Sequence, residues 1–447
     1  MWKKLKHIGK EKNMSSLLTN LVIAFLGLLS FMLLTRQLPK EAFGDWVLFV
    51  TLATFVDLLR FGLTRTSVVR LLSGADGESY KAFLGSSYKI NLLLLALIMV
   101  ICWSIAGISN GLEIQMNQGY QLFFIWYPVL ALFNLGWNTA SALFQAEQNF
   151  NRMMLVRLAN IGLFVVFLLL NLWVLKWGLL EILWVYLGVN LISSTWCTFK
   201  QWDGLSYLKY ADAATEKELI NFGKYSMGTL VGSSLLKSAD TLIIGLSPVL
   251  GSAGIAMYAI PLKLTDLLGI PLRSFTMTAY PRMSKKSLEG DLKAVRKIFY
   301  AYSGAITLLF IPVAVFCFVF AEYLILLLGG AEYKESLPLL TTVFRVFTLY
   351  TLLLPIDRFT GVLLDSINRP KLNLYKVIFM TIANIIIDIV AVFLFESLVA
   401  VAVGTVFFTL LGIFLGFYYL KKEIQVRSRQ ILPEGIFFFK NLKTYLG

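Results

Sequence analysis

The chain has 447 residues but only one histidine, His7, and three cysteines, Cys102, Cys197 and Cys317. His7 lies in the basic N-terminal tail, and each cysteine lies inside an apolar run. This scarcity excludes histidine acid–base catalysis and histidine metal ligation from the core, and it predicts neither a disulfide framework nor a metal site. A Walker A pattern is also missing, so ATP hydrolysis is not expected. We therefore expect no cofactor and no metal.

Charge is scarce as well. Charged residues make up 15% of the chain against 58% hydrophobic residues, and the mean hydropathy is +0.74. These values lie outside the range of soluble globular proteins. Apolar runs of membrane-spanning length follow one another from Met14 to Leu420, with short polar gaps. The Lys-rich start imitates a signal peptide, but no small-residue cleavage site follows, so we expect an uncleaved first helix.

The apolar runs predict an all-α, multi-pass membrane protein with about twelve transmembrane helices, six in each half of the chain. The predicted helices cover residues 14–35, 46–66, 83–106, 120–145, 153–175, 179–200, 223–247, 254–280, 297–320, 336–366, 372–395 and 398–420.

Lysine and arginine concentrate in alternate connections between these helices. The segments assigned to the outside contain only Arg36, Lys40, Lys176 and Lys334. This bias predicts that both termini are cytoplasmic. It also accounts for the net charge of +14 without any binding of nucleic acid.

Several short patterns recur in the same order about half a chain length apart. Asp57 and the two leucines after it recur at Asp266, and Arg70 recurs at Arg282. With six helices per half, both halves enter the membrane from the same side, which predicts a parallel repeat. The predicted parts are a cytoplasmic basic tail (1–13), a six-helix lobe (14–200), a cytoplasmic linker (201–221), a second six-helix lobe (222–420) and a cytoplasmic basic tail (421–447).

Four cations lie deep in predicted helices. Ionisable residues at such depth are costly, and by default they face a polar cavity or one another. Arg345 has no acid within four residues on its own helix, so its partner must come from another helix or from a ligand. The candidate ligand-binding cations are Arg345, Lys263, Lys237 and Arg60.

Acidic residues offer competing partners for these cations. Asp240 is three residues from Lys237, and Asp57 is three residues from Arg60, so each pair is compatible with simple neutralisation on one helix face. Asp266 competes in the same way for Lys263. The acids Asp57, Asp266 and Asp240 are candidates for ion coupling or for ion pairs. Arg358 and Asp365 are candidates for an inner gate or a helix-end pair, and Asp388 for a hydrated polar group nearer the outside.

The order of features is similar to that of a known family. A Lys-rich start leads into a helix that closes on the segment 35–46, TRQLPKEAFGDW, and the next helix closes on Phe61-Gly62-Leu63. In the second half, Ala239-Asp240 precedes an apolar run, and Tyr280-Pro281 follows the next helix. Over residues 14–420 the chain resembles the polysaccharide transporter family (O-antigen and related oligosaccharide flippases) of the multidrug/oligosaccharidyl-lipid/polysaccharide exporter superfamily.

This resemblance implies two lobes around a central cavity that alternate between inward- and outward-open states. It implies transfer of a polyprenyl-pyrophosphate-linked oligosaccharide from the cytoplasmic to the outer leaflet of the bacterial inner membrane, for assembly of surface polysaccharide such as the O-antigen of lipopolysaccharide. The implied partners are this lipid-linked oligosaccharide, membrane lipids, and the polymerase and glycosyltransferases of the same pathway.

Two other functions remain open from the sequence. A cation-coupled multidrug exporter of the same superfamily would be expected to have mainly acidic residues in its cavity, whereas cations at least match acids here. A membrane glycosyltransferase or ligase would need a sizeable loop at one membrane face, and no outer loop is long enough. We therefore do not expect an enzyme.

Overall fold

A computed structural model describes residues 12–72, 77–147 and 149–441, and these contain helices and no strand. Nine helices in the described part are long and apolar enough to cross a membrane. The prediction of an all-α, multi-pass membrane protein is confirmed. Residues 1–11 of the predicted basic tail and residues 442–447 lie outside the described part.

The chain divides into two compact units, Met1–Ser234 and Leu235–Gly447. The helices of the first unit match predicted helices except at one position: the predicted helix 120–145 is broken at Asn134. Asparagine competes for backbone hydrogen bonds and favours helix ends, which accounts for a break there. The helices are α1 Lys12–Gln37, α2 Lys40–Leu72, α3 Gly77–Gly111, α4 Gln118–Phe133, α5 Leu135–Ala146, α6 Phe150–Leu170 and α7 Leu179–Phe199.

Helix α8, Ala213–Gly245, begins in the first unit and ends in the second. It is long enough to span a membrane, and its lysines and acids explain why it is not among the nine most apolar helices. Two short helices, Ala321–Gly329 and Ile431–Lys440, were not predicted from the sequence. The second unit continues with α9 Gly251–Leu288, α10 Leu292–Val319, α11 Ala321–Gly329, α12 Leu337–Ser366, α13 Pro370–Ile389, α14 Leu398–Ile424 and α15 Ile431–Lys440.

The segment predicted as a linker, 201–221, packs against the first unit. Its 3₁₀ turn, Leu205–Tyr210, lies on α3, where a side chain at Gly85 would overlap the Tyr207 carbonyl oxygen. One turn further on, Lys89 Nζ of α3 lies 2.7 Å from Glu216 Oε1 at the start of α8. This segment is therefore held to α3 by close backbone packing and by charge.

The tail after α14 also packs on its own unit. In α15, Phe438 is buried and Gly435 lies against Gly304 of α10, so closely that no Cβ fits at either glycine. The main-chain N–H of Arg427 donates to Tyr300 Oη at 2.7 Å. Residues 427–440 of the predicted basic tail (421–447) are thus folded against α10.

Candidate functional site

The ionisable side chains of the spanning helices form several separate groups. In the first unit, Asp57 and Arg60 of α2 meet the break between α4 and α5. Arg60 is almost fully buried; its Nη2 lies 3.3 Å from Asp57 Oδ1, and its Nη1 donates to the Ala131 carbonyl at 2.7 Å. Asn134 accepts a hydrogen bond from Arg60 and donates to Asp57 Oδ2 at 2.8 Å, while Tyr127 Oη donates to Asp57 Oδ1 at 3.0 Å.

This network differs from the expectation that Arg60 is a cavity cation. The helix break exposes the Ala131 carbonyl, and the Asn134 side chain bridges Arg60 and Asp57. The charge of Arg60 is therefore compensated inside the unit, which corresponds to the neutralisation alternative.

In the second unit, Lys237 of α8 and Asp266 of α9 form an ion pair, with Nζ 3.0 Å from Oδ1. Both side chains are partly exposed, at 56% and 39%. Lys263, one turn before Asp266, is half-buried and lies within electrostatic range of both residues. The structure thus brings three predicted site residues together, and this group, which we call the α8–α9 cluster, has two lysines against one carboxylate.

The predicted partner of Lys237 on its own helix was Asp240, but Asp240 belongs to another group. It is buried and accepts hydrogen bonds from Tyr258 Oη and, at 3.0 Å, from Asn384 Nδ2. Asp388 of α13 is fully buried and interacts with Asp240, and no described residue donates a hydrogen bond to either of its carboxyl oxygens.

Asp388 is therefore not the hydrated polar group that was expected. Two interacting carboxyl groups in a buried site can hold a proton or a cation between them. Asn384 Oδ1 also lacks a donor among the described residues. The group offers only oxygen ligands, which suits a proton or a hard cation.

Arg345 of α12 extends towards the end of α10 and not towards the lysines. Its Nε donates to the Phe318 carbonyl at 3.3 Å, and its guanidinium lies 5.2 Å from the centre of the Phe318 ring. The last carbonyls of a helix lack partners within the helix and attract cations. A long arginine side chain can reach such a position from a deeper Cα atom, so the position of Arg345 deep in its predicted helix does not by itself place its charge in a cavity.

The candidate gate residues Arg358 and Asp365 are not joined by an ion pair in the described part of the chain. Asp365 accepts a hydrogen bond from Asn373 Nδ2 at 2.9 Å, and Arg358 is exposed. A buried pair that sequence reasoning missed lies nearby, with Lys376 Nζ 2.7 Å from Asp357 Oδ1. In the sequence, Lys376 falls near the start of the predicted helix 372–395 and so resembles a helix-end cation, and the only signal was an acid nineteen positions earlier on another helix.

The described residues contain no group of three or more histidine, cysteine or acidic side chains arranged to hold a metal ion. The three cysteines are separate, buried thiols. The chemistry these groups offer is therefore binding of ions.

The chain is similar to known proteins in sequence and in fold. The chain is similar over 249 residues, at 21% identity, to the "Probable low-salt glycan biosynthesis flippase Agl15" of Haloferax volcanii; the match covers 53% of this chain and 51% of that protein. The chain thus spans about half the length of this relative.

Two solved structures share the fold. One, described as the inward-facing conformation of a multidrug resistance MATE family transporter of the MOP superfamily, has a TM-score of 0.76 at 17% identity and covers 90% of this chain and 94% of that one. The other, the lipid II flippase MurJ in an inward closed conformation, has a TM-score of 0.75 at 16% identity and covers 96% and 92%.

At these identities the structures establish the fold. The family is established by a match over residues 33–338, more than half of the chain, which includes Asp57, Arg60 and the whole α8–α9 cluster. The chain belongs to the polysaccharide biosynthesis protein family, within the fold that MATE transporters and MurJ share.

Proposed function

We propose that this protein is a flippase that moves a polyprenyl-pyrophosphate-linked oligosaccharide from the cytoplasmic to the outer leaflet of the bacterial inner membrane by alternating access. The α8–α9 cluster is the observation that carries the proposal. It brings two lysines and one carboxylate together, all partly accessible and on helices long enough to span a membrane, where a multiply anionic linker needs cationic ligands. The family match and the named function of the Haloferax relative support the same substrate class.

The ion pair between Lys237 and Asp266 gives the cluster a way to bind and release. An arriving pyrophosphate competes with Asp266 for Lys237, while the neighbouring Lys263 adds a second cation. Charge-assisted hydrogen bonds of this kind are short and strong. When the substrate leaves, Asp266 takes Lys237 back, so the charge of Lys237 is compensated again. We do not include Arg345 or Arg60 among the linker-binding residues, because each already has partners in its own unit.

The proposal assigns coupling to an ion gradient to a second group of residues, Asp240 and Asp388. Asp240 and Asp388 share one buried site that holds a proton or a monovalent cation. Occupation of that site changes the charge that α8 and α13 carry, and α8 also contains Lys237. The exchange of the ion therefore acts on the helix that binds the substrate.

Export in living cells tests the cationic cluster. We expect Lys263→Gln and Lys237→Gln, expressed in a strain that lacks the protein, to lower the amount of cell-surface glycan by about tenfold or more, since each removes a charged hydrogen bond. Lys286→Gln is the control, because Lys286 is on the same helix, α9, and pairs at the surface with Glu289. Normal glycan from both cluster variants at normal protein levels would disprove the role of the cluster.

The coupling group is tested in vesicles. Asp388→Asn keeps the size of the side chain but removes one of the two carboxyls. We expect its transport to lose the response to an imposed ion gradient that the unaltered protein shows. Separate proton and sodium gradients identify the ion. A variant that responds as strongly as the unaltered protein would remove Asp388 from the mechanism.

A multidrug exporter of the same fold is the second candidate, because the buried acid pair would serve ion coupling there as well. The two lysines of the α8–α9 cluster oppose it, since cationic drugs would be repelled. Unchanged drug sensitivity of cells that lack or overproduce the protein, together with a loss of surface glycan, is the outcome we expect.

A further inference from the structure

The short helix α15 of the second unit has apolar side chains on more than one face. Ile431, Gly435 and Phe438 are buried against the unit. Four more apolar side chains are each 45–50% exposed: Leu432, Ile436, Phe437 and Phe439. We call these four, together with the basic residues Arg427, Arg429 and Lys440, the α15 surface. We propose that the α15 surface binds anionic phospholipids at the face of the membrane where α14 ends, which is the cytoplasmic face in the predicted topology.

The buried face of α15 sets the position of this surface. The backbones of α15 and α10 meet at two glycines, where no Cβ would fit. The ring centre of Phe438 lies 6.2 Å from that of Phe275 of α9 and 5.2 Å from that of Tyr302 of α10. Arg427 contributes only its main-chain N–H, which donates to Tyr300 Oη, and its side chain is exposed. The exposed charges are therefore not needed to hold the helix in place.

The contacts with α10 indicate the depth of α15. Helix α10 has 28 residues and is about 42 Å long, more than the roughly 30 Å of a hydrocarbon core. Helix α15 covers the first half of α10, from Lys297, whose Nζ lies 5.5 Å from the centre of the Phe437 ring, to Gly304. With ten residues, α15 is too short to cross a membrane. It therefore lies where headgroups meet hydrocarbon, and exposed apolar side chains at that level contact acyl chains.

The charges around α15 are mainly positive. The segment 421–440 contains five basic residues and two acidic ones, and the acid Glu423 is already paired with another arginine at 2.7 Å. Among the residues that the structure describes, no acid forms an ion pair with Arg427, Arg429 or Lys440. Anionic headgroups supply the missing negative charge, and they attract basic residues at a membrane surface. A second copy of the chain would bring the same positive charges and would be repelled.

Lipid binding to the purified full chain tests the charges. The protein in detergent is titrated with phosphatidylglycerol and, separately, with phosphatidylcholine, and bound lipids are counted by native mass spectrometry. A basic residue near an anionic surface contributes about fivefold in affinity, so the double variant Arg427→Gln, Arg429→Gln should bind phosphatidylglycerol about 25-fold more weakly. Its binding of phosphatidylcholine should not change. Because both side chains are exposed, its melting temperature should equal that of the unaltered protein.

The matched control is the double variant Lys285→Gln, Lys286→Gln. It removes the same charge from the last turn of α9, in the same unit. We expect it to bind phosphatidylglycerol as tightly as the unaltered protein does. Equal losses in the two double variants would show that only the overall charge matters, and unchanged binding in both would show that these arginines bind no lipid. Either result would overturn the proposal.

A spin label tests the apolar contact. Ile436→Cys is labelled with a nitroxide in nanodiscs that contain phosphatidylglycerol; the three native cysteines are buried, and the unaltered protein gives their background. Oxygen, which concentrates among acyl chains, should relax this label more strongly than a water-soluble nickel complex. A label at Lys285→Cys, in the last turn of the 38-residue α9, should show the opposite order. Stronger relaxation by nickel at position 436 would place α15 in water and refute the inference.

Two further results would identify a different occupant and reject the proposal. Displacement of phosphatidylglycerol by an equal concentration of inorganic phosphate would indicate a site for free phosphate. A change of oligomeric state in Ile436→Asn, without any preference for anionic lipid, would indicate a contact with a second copy of the chain. Neither readout depends on glycan export, so lipid binding at α15 can be established even if the proposed flippase function fails.

Discussion

The buried ion pair of the second unit allows a prediction with a magnitude. Lys376 is 3% exposed, and its Nζ lies 2.7 Å from Asp357 Oδ1 while it donates to the Asp357 carbonyl and to Thr360 Oγ1. Helix α14 packs directly on this pair, and side chains at Gly412 or Gly416 would overlap Asp357 or Thr360. Water therefore cannot replace a missing partner.

Removing one partner leaves an uncompensated charge in this packed junction. Asp357→Asn keeps the shape of the side chain but should cost about 3–5 kcal/mol, the usual loss for a broken buried pair. At roughly 2–4 °C per kcal/mol for a unit of about 200 residues, the melting temperature should fall by about 6–20 °C. The double variant with Asp357→Leu and Lys376→Met should recover most of that loss, because apolar residues of similar volume replace a buried pair at little cost.

The assay is thermal unfolding of purified protein in detergent, followed by tryptophan fluorescence. Lys286→Met is the control, since it breaks the exposed pair with Glu289 and should leave the melting temperature almost unchanged. Equal losses in the single and the double variant would refute the reasoning, because they would show that the charges themselves stabilise the unit. Glycan export by the double variant adds a second reading: normal export means that the pair is structural.

Three further predictions follow from single contacts. Gly85→Ala should loosen the segment 201–212 and speed its cleavage by protease, because the new Cβ overlaps the Tyr207 carbonyl oxygen, whereas Gly107→Ala on the same helix has nothing within 4 Å and should have no effect. Arg345→Met should keep most glycan export while Lys263→Met loses it, since Arg345 binds a helix end; equal losses would contradict this. Hydrogen bonds from the Thr215 side chain and from the main-chain N–H groups of Thr215 and Ala214 hold the pKa of Asp212 below its usual range. This cap is present at neutral pH and is lost as the pH falls through the lowered pKa, so the protection of the amides at the start of α8, measured relative to their intrinsic exchange rates, should fall in acid and not in base.

Much of the fold could be predicted from sequence, because hydropathy and length determine which segments span a membrane. The break at Asn134 and the packing of α15 were not predicted, since both depend on contacts with other helices. For the charged residues, the sequence analysis selected Lys237, Lys263 and Asp266 but offered Asp240, and not Asp266, as the alternative partner of Lys237. A spacing of three residues on a helix makes such a pair possible. Asp240 instead accepts hydrogen bonds from Tyr258 and Asn384, which belong to two other helices.

Two charged groups of the second unit differ in the sign of their charge and in their exposure to solvent. The lysine-rich α8–α9 cluster is partly open, whereas the acids Asp240 and Asp388 are closed off from solvent. An anionic ligand that entered the buried acid group would meet two carboxyls, and a small cation near the cluster would meet two lysines. In the proposed mechanism electrostatic repulsion keeps each ligand at its own group, although one helix, α8, contributes Lys237 to the first and Asp240 to the second. In the proposed mechanism a change in the charge of one group acts on the other through α8, which is the physical requirement for coupling substrate transport to an ion.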